Sequence, residues 1–123
     1  MTQPLALVLY ERLLPGSQIV NRLQDLNYRV QAVSDAEMLV ECAEQARPML
    51  VLADLESTRN NVCAAIARLR QNASTRHLPI IAFGNENTEV QNAAKAAGVT
   101  LLVGEQAVLN HLTECLEQAL QVD

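Results

Sequence analysis

The chain contains no tryptophan, one phenylalanine and two tyrosines. A core built with so few aromatics must be aliphatic, and no platform remains on which bases or sugars would stack. Positive charge is scarce as well. Lys95 is the only lysine, and nine basic against fourteen acidic residues give a formal net charge of -5. Such a surface does not select a phosphate backbone, so no nucleic-acid partner is expected. No apolar run approaches the ~20 residues that span a bilayer. Met1-Thr2-Gln3-Pro4 has neither the basic start nor the small-residue cleavage site of a signal peptide. A cytoplasmic protein away from membranes is the expectation. Cys42, Cys63 and Cys115 are odd in number, widely spaced and set in apolar helical patterns. Without the short spacing of a metal cluster, they read as reduced core residues.

What is present is a length of 123 residues, half of them apolar, enough for one domain to bury a core without staples. Its most telling stretch is Met49-Leu50-Val51-Leu52-Ala53, which follows Pro48 and runs straight into Asp54. A short apolar run bounded by a proline and a polar cluster reads as a strand buried on both faces. Asp54 then ends a central strand, at the edge where open α/β sheets hold their ligand sites.

The rest of the chain alternates in the same way. Leu5 to Tyr10 is a first apolar strand, and Ile19, Val20, Leu23 and Leu26 share one face of a helix whose first turn suits Pro15. Asn27 closes that helix, and Tyr28 to Val33 forms a second strand near the sheet edge. Ser34-Asp35-Ala36-Glu37 has the form of a capping box with Ser34 as N-cap. Leu39, Val40, Ala43 and Ala46 follow as a buried stripe that Pro48 stops. Val62, Ile66 and Leu69 mark a helix to about Asn72, and Ile80 to Phe83 a buried strand ending at Gly84. Thr88 to Ala97 is a helix closed by Gly98. Its face is mostly alanine, so it should be the least firmly docked. Val99 to Val103 is the fifth strand, and Leu109, Leu112, Leu116 and Leu120 give one last helix. Five strands alternating with five helices imply right-handed crossovers and a parallel sheet covered on both faces.

The residues just past the strands converge at one edge: Tyr10-Glu11, Asp54-Leu55-Glu56, Gly84-Asn85-Glu86 and Gly104-Glu105. Carboxylates dominate, and packed together they repel unless a hard cation such as Mg²⁺ neutralises them. Alternatively, Glu56, Glu86 and Glu105 are solvent-facing first-turn residues favoured by the helix dipole. His77 precedes a strand at the opposite edge and His111 lies on the last helix, so both read as surface residues. No Ser-His-Asp or Cys-His arrangement falls at strand ends, and no G-x-G-x-x-G or P-loop is present. An enzyme is not expected.

The order of these features resembles the receiver domain of bacterial two-component response regulators, from about Leu5 to Leu120. The likeness rests on Glu11 after the first strand, on the run from Arg47 to Leu55, on Arg76-His77-Leu78-Pro79-Ile80-Ile81-Ala82, and on Ala96-Ala97-Gly98 before the fifth strand. It implies a single receiver-like domain over 1–123 with a flavodoxin-like, doubly wound five-stranded parallel sheet, (βα)5, in strand order 2-1-3-4-5. It implies Asp54 as the nucleophilic phospho-acceptor facing a histidine kinase or other signalling protein, with Mg²⁺ as cofactor. Glu11, Asp54 and the Glu56 backbone carbonyl would be the metal ligands. The docking surface it implies is the fourth helix, fifth strand and fifth helix, including Lys95, Leu101, His111 and Glu114, where a homodimer is an option.

The departures from that pattern fall on the site. Tyr10 stands in place of the first acidic residue, and its hydroxyl is expected to bond Asp54. Gly84 replaces the hydroxyl residue that contacts the phosphoryl group, Leu102 the aromatic switch residue and Glu105 the lysine. Thr58 stands where a proline is expected four residues after the acceptor. Glu105 reverses a local charge, and Arg12 or Arg59 would have to compensate. The reading is therefore a pseudo-receiver acting through protein contacts, with weak or absent phosphorylation and weak or absent Mg²⁺. One alternative is a phosphorylatable single-domain response regulator using Asp54 and Mg²⁺. Another is a small flavodoxin-like ligand-binding domain or enzyme.

Overall fold

Strands form where apolar residues run unbroken, and helices where they recur every three or four. The computed structural model describes residues 4–11, 13–56, 61–84 and 87–120. The strands are β1 (Leu5–Leu9), β2 (Arg29–Val33), β3 (Leu50–Asp54), β4 (Ile80–Phe83) and β5 (Leu101–Val103). Between and after them lie α1 (Leu13–Asp25), α2 (Leu39–Ala46), α3 (Val62–Gln71), α4 (Thr88–Ala97), α5 (Glu105–Asn110) and α6 (Leu112–Leu120). All strand pairs are parallel, and the sheet order is β2-β1-β3-β4-β5. This is the flavodoxin-like order that the resemblance implied.

Strand alternation divides the core in two. On one face Leu7, Leu9, Val51, Ala53, Ile80 and Ala82 pack against α2 and α3 through Leu39, Ile66 and Leu69. On the other, Ala6, Val8, Leu50, Leu52, Ile81 and Phe83 meet α1, α5 and α6 through Ile19, Leu23, Val108 and Leu116. Every residue of β3 is buried, which is why its sequence shows no alternation. The edge strand β2 buries only Val33 fully.

Three local expectations are corrected. The second helix is not capped by Ser34. Asp35 caps a 3-10 turn over Ala36–Met38, its Oδ1 accepting from the Glu37 N–H at 2.9 Å, and α2 begins only at Leu39. The reason is that the helical segment starts at Ala36, which makes Asp35 its cap position, and an aspartate side chain reaches the N–H two residues ahead. The last helix is two, broken at His111 (φ -130, ψ 40). Leu109 on α5 and Leu112 on α6 both stay buried across the break. The fifth strand is also shorter than expected and starts at Leu101.

α4 buries only Ala94 completely. Gly98 ends it with φ 107, its N–H reaching the Ala94 and Lys95 carbonyls. The same region is held by a residue that periodicity does not flag. The Arg70 guanidinium donates to the carbonyls of Gly98 (2.8 Å), Arg76 (2.6 Å) and Leu78 (2.7 Å) and to Thr100 Oγ1 (3.1 Å). Thr100 Oγ1 in turn accepts from the Ile80 N–H at 3.0 Å. One cation thus ties α3 to the turns entering β4 and β5, and burial lowers its pKa from the ordinary arginine value.

Candidate functional site

The register of the sheet assembles the site. Ala53 pairs with Leu9 and Asp54 with Phe83, which pairs in turn with Val103. One step past Leu9 puts Tyr10 beside Asp54. Alternation aims Tyr10, Asp54 and Phe83 to one side, that of α1, α5 and α6, where the Tyr10 and Phe83 rings belong to the core cluster. Asp54 therefore ends its strand between two aromatic neighbours and is only 1% exposed.

A buried carboxylate is costly unless hydrogen-bonded. Asp54 Oδ1 accepts the Glu56 N–H at 2.9 Å, so the side chain closes the turn that leaves β3. The chain also hands on a ladder bond there, from the Leu55 N–H to the Phe83 carbonyl at 2.9 Å. Asp54 is thus both a site residue and a part of the backbone turn.

Tyr10 does not take the place expected for it. Among the described hydrogen bonds none joins its hydroxyl to Asp54. Its ring lies against Gly16 in the first turns of α1, so closely that a β-carbon on Gly16 would overlap it. The physical reason is space. Gly16 leaves room against the helix backbone, and the Tyr10 ring packs into it. Neither the Gly16 contact nor the nearness of Phe83 was read from the sequence. A glycine inside the first helix was the available signal for the contact.

The other expected residues are placed as follows. Glu11 is half-buried at the exit of β1 and Glu56 is exposed just past Asp54. Gly84 is buried and follows β4 with φ 82, a left-handed backbone that a serine or threonine adopts only under strain. Glu105 is half-buried as the first residue of α5, directly after the N-cap Gly104. Leu102 is half-buried and faces the other core, with Val99 and Ala97. So Tyr10, Glu11, Asp54, Glu56, Gly84 and Glu105 share one edge of the sheet, while Leu102 lies one layer below. Among the described residues no three His, Cys, Asp or Glu side chains gather closely enough to hold a metal ion. Arg12, Thr58, Arg59, Asn85 and Glu86 lie outside the described residues.

On the surface built from α4, β5, α5 and α6, Lys95, His111 and Glu114 are exposed and Leu101 is half-buried. His111 Nδ1 lies 4.0 Å from Glu114 Oε2, an exposed pair worth little. The cysteines are free, with Cys115 buried and Cys42 and Cys63 half-buried. Burial pushes the Cys63 thiol up, and burial together with the Glu114 carboxylate pushes up Cys115. A raised thiol is a poor nucleophile and a poor metal ligand.

No family model matches the chain, and no curated protein matches it. Solved structures do. The chain superposes on the chemotaxis response regulator CheY4 of Vibrio cholerae with a TM-score of 0.83 at 18% identity, over 96% of this chain and 99% of that one. The receiver domain of the sensor histidine kinase PA1611 from Pseudomonas aeruginosa, whose structure has a magnesium ion in the active-site cleft, gives 0.86 at 22% identity, over 97% and 98%. The response regulator domain of Thermotoga maritima CheB gives 0.80 at 18%, over 99% of each chain. At such identities the likeness establishes the fold, and the fold is that of receiver domains. Among the described residues no helix is long and apolar enough to cross a membrane.

Proposed function

We propose that the chain is a single receiver-like domain over 1–123, a signalling module of a two-component phosphorelay and not an enzyme. It acts through contacts with a histidine kinase or another signalling protein, with weak or absent phosphorylation at Asp54. The observation that supports this reading is the setting of Asp54. The carboxylate ends the central strand, as an acceptor would, yet it is 1% exposed with Oδ1 engaged by the Glu56 N–H. Around it, Tyr10 packs on α1, Gly84 has no hydroxyl and Glu105 adds negative charge where an acceptor needs a cation.

The Asp54 and Glu11 carboxylates and the Glu56 carbonyl are the hard oxygen donors that Mg²⁺ takes. With Tyr10 in place of another carboxylate, these residues fit the ion but would hold it weakly. Bound there, it would neutralise charge on a transferring phosphoryl group. The surface that would meet a target is that of Lys95, Leu101, His111 and Glu114, and a homodimer through it is the second option.

The test is intact mass after incubation with Mg²⁺ and acetyl phosphate, beside an Asp54→Ala control. In a productive reaction an Asp54 oxygen attacks phosphorus, the bond to the acetate oxygen breaks, and acetate leaves. We expect little or no gain of a phosphoryl group. A near-complete gain that the control abolishes would overturn this reading in favour of a phosphorylatable single-domain response regulator.

A further inference from the structure

The end of the sheet opposite Asp54 carries two exposed arginines, Arg47 and Arg76, beside one exposed carboxylate, Glu44. There α2 stops, the chain enters β3, and the turn between α3 and β4 passes alongside. Ala43, Glu44, Arg47, Pro48, Ser74, His77 and Leu78 line a groove of about 430 Å³. Arg47 and His77 are exposed in it and Arg76 is exposed next to it. Among the described residues none of these three side chains makes a hydrogen bond or an ion pair. The nearby Arg70 is fully used by the contacts already described. In a chain of net charge -5, two arginines without an ion pair stand here against the single carboxylate of Glu44. The dipole of α2 accounts for a cation near its end, but Arg76 and His77 lie in a turn after α3 and gain nothing from it.

Two further observations fall at the same place. Arg47 has φ 51 and ψ 59, a left-handed conformation that glycine adopts without strain and other residues do not. Met49 is 46% exposed, although it continues the side of β3 on which Val51 and Ala53 are buried. An apolar side chain is thus left open two residues from Arg47 and next to Pro48, which lines the groove.

We propose that this groove docks an acidic peptide segment of a partner protein. Its carboxylates meet the Arg47 and Arg76 guanidiniums and a ring N–H of His77, and one apolar side chain rests on Met49. The groove lies at the other end of β3 from Asp54, so docking there is independent of phosphorylation and does not rest on the fate of that carboxylate.

The test uses the full chain and a fluorescently labelled peptide of alternating glutamate and leucine, read by anisotropy, with amide chemical shifts to locate it. Arg47→Gly is the informative variant, because glycine suits the backbone there and folding is retained. We expect binding that weakens with salt and falls about five-fold or more in Arg47→Gly, while Arg22→Ala, which removes the same charge elsewhere, leaves it unchanged. The shifts should map to residues 43–49 and 74–78. Equal binding by Arg47→Gly, shifts confined to another surface, or no binding at millimolar peptide would overturn the proposal. Salt-sensitive self-association of the chain, lost in Arg47→Gly, would also overturn it by making a second copy the occupant.

Discussion

Two glycines decide what the candidate site can become. Gly16 has no side chain because the Tyr10 ring occupies that space. Alanine normally improves a helix interior over glycine by about 0.5–1 kcal/mol, so Gly16→Ala should stabilise a chain in which Tyr10 has been cut to alanine. In the unaltered chain the same change should destabilise. Urea unfolding of both singles and the double measures that reversal, and two independent effects would mean the ring does not rest on the helix. Gly84 is constrained by its backbone, with φ 82. Gly84→Ser restores a hydroxyl where the resemblance expects one, but should cost about 1–2 kcal/mol from the left-handed conformation, seen as a lower unfolding midpoint at unchanged slope. The substitution of a glycine for a hydroxyl residue was legible in the sequence. The positive φ that makes it hard to reverse was not, because a dihedral depends on how the following loop departs and not on residue type. The position of Asp54 was legible because five apolar residues lead to it. Which backbone amide it binds, that of Glu56, was not, since an Asx turn needs no distinctive neighbour.

At the scale of elements, Arg70 supplies to the α4–β5 region what an alanine face does not. Only Ala94 of α4 is fully buried, while one guanidinium holds the Gly98 carbonyl and Thr100 hydroxyl between α4 and β5 and the Arg76 and Leu78 carbonyls ahead of β4. Arg70→Ala should cost about 2–3 kcal/mol, because it leaves part-buried carbonyls without a charged donor. Hydrogen exchange should accelerate first in residues 88–103, with β1 and β3 protected until global unfolding. Uniform acceleration across the sheet would show that the contact is not local. The apolar pattern had already marked α4 as weakly docked, and the compensating arginine was invisible because its partners lie in turns 6 to 30 residues away. The break between α5 and α6 was hidden for a different reason. Val108, Leu109, Leu112, Cys115, Leu116 and Ala119 are all buried, and that set keeps a continuous helical period through His111. Periodicity reports which side of a segment is covered, not whether its axis bends.

Over the whole molecule, two thiols and a phenol held from ionising by burial contribute pH sensitivity at the alkaline end. Cys63, Cys115 and Tyr28 all have raised folded values, each chiefly from burial. The stability linked to a raised group is complete below its unfolded value and is lost as pH rises toward the folded one. Unfolding midpoints should therefore be flat near neutrality and decline above about pH 8, where unfolded thiols begin to ionise. A Cys63→Ala, Cys115→Ala double variant should flatten that decline, and an unchanged slope would assign it to other groups. The parallel topology was legible as a whole because apolar strand and amphipathic helix alternate without interruption. The layer in which Tyr10 lies next to Asp54 has an optical consequence. With no tryptophan to absorb its excitation, tyrosine provides the native ultraviolet emission of this protein, and it does so from Tyr10 and Tyr28. Removing the second emitter as Tyr28→Phe leaves a single intrinsic fluorophore beside the candidate site, so any event at that carboxylate is open to observation without a label.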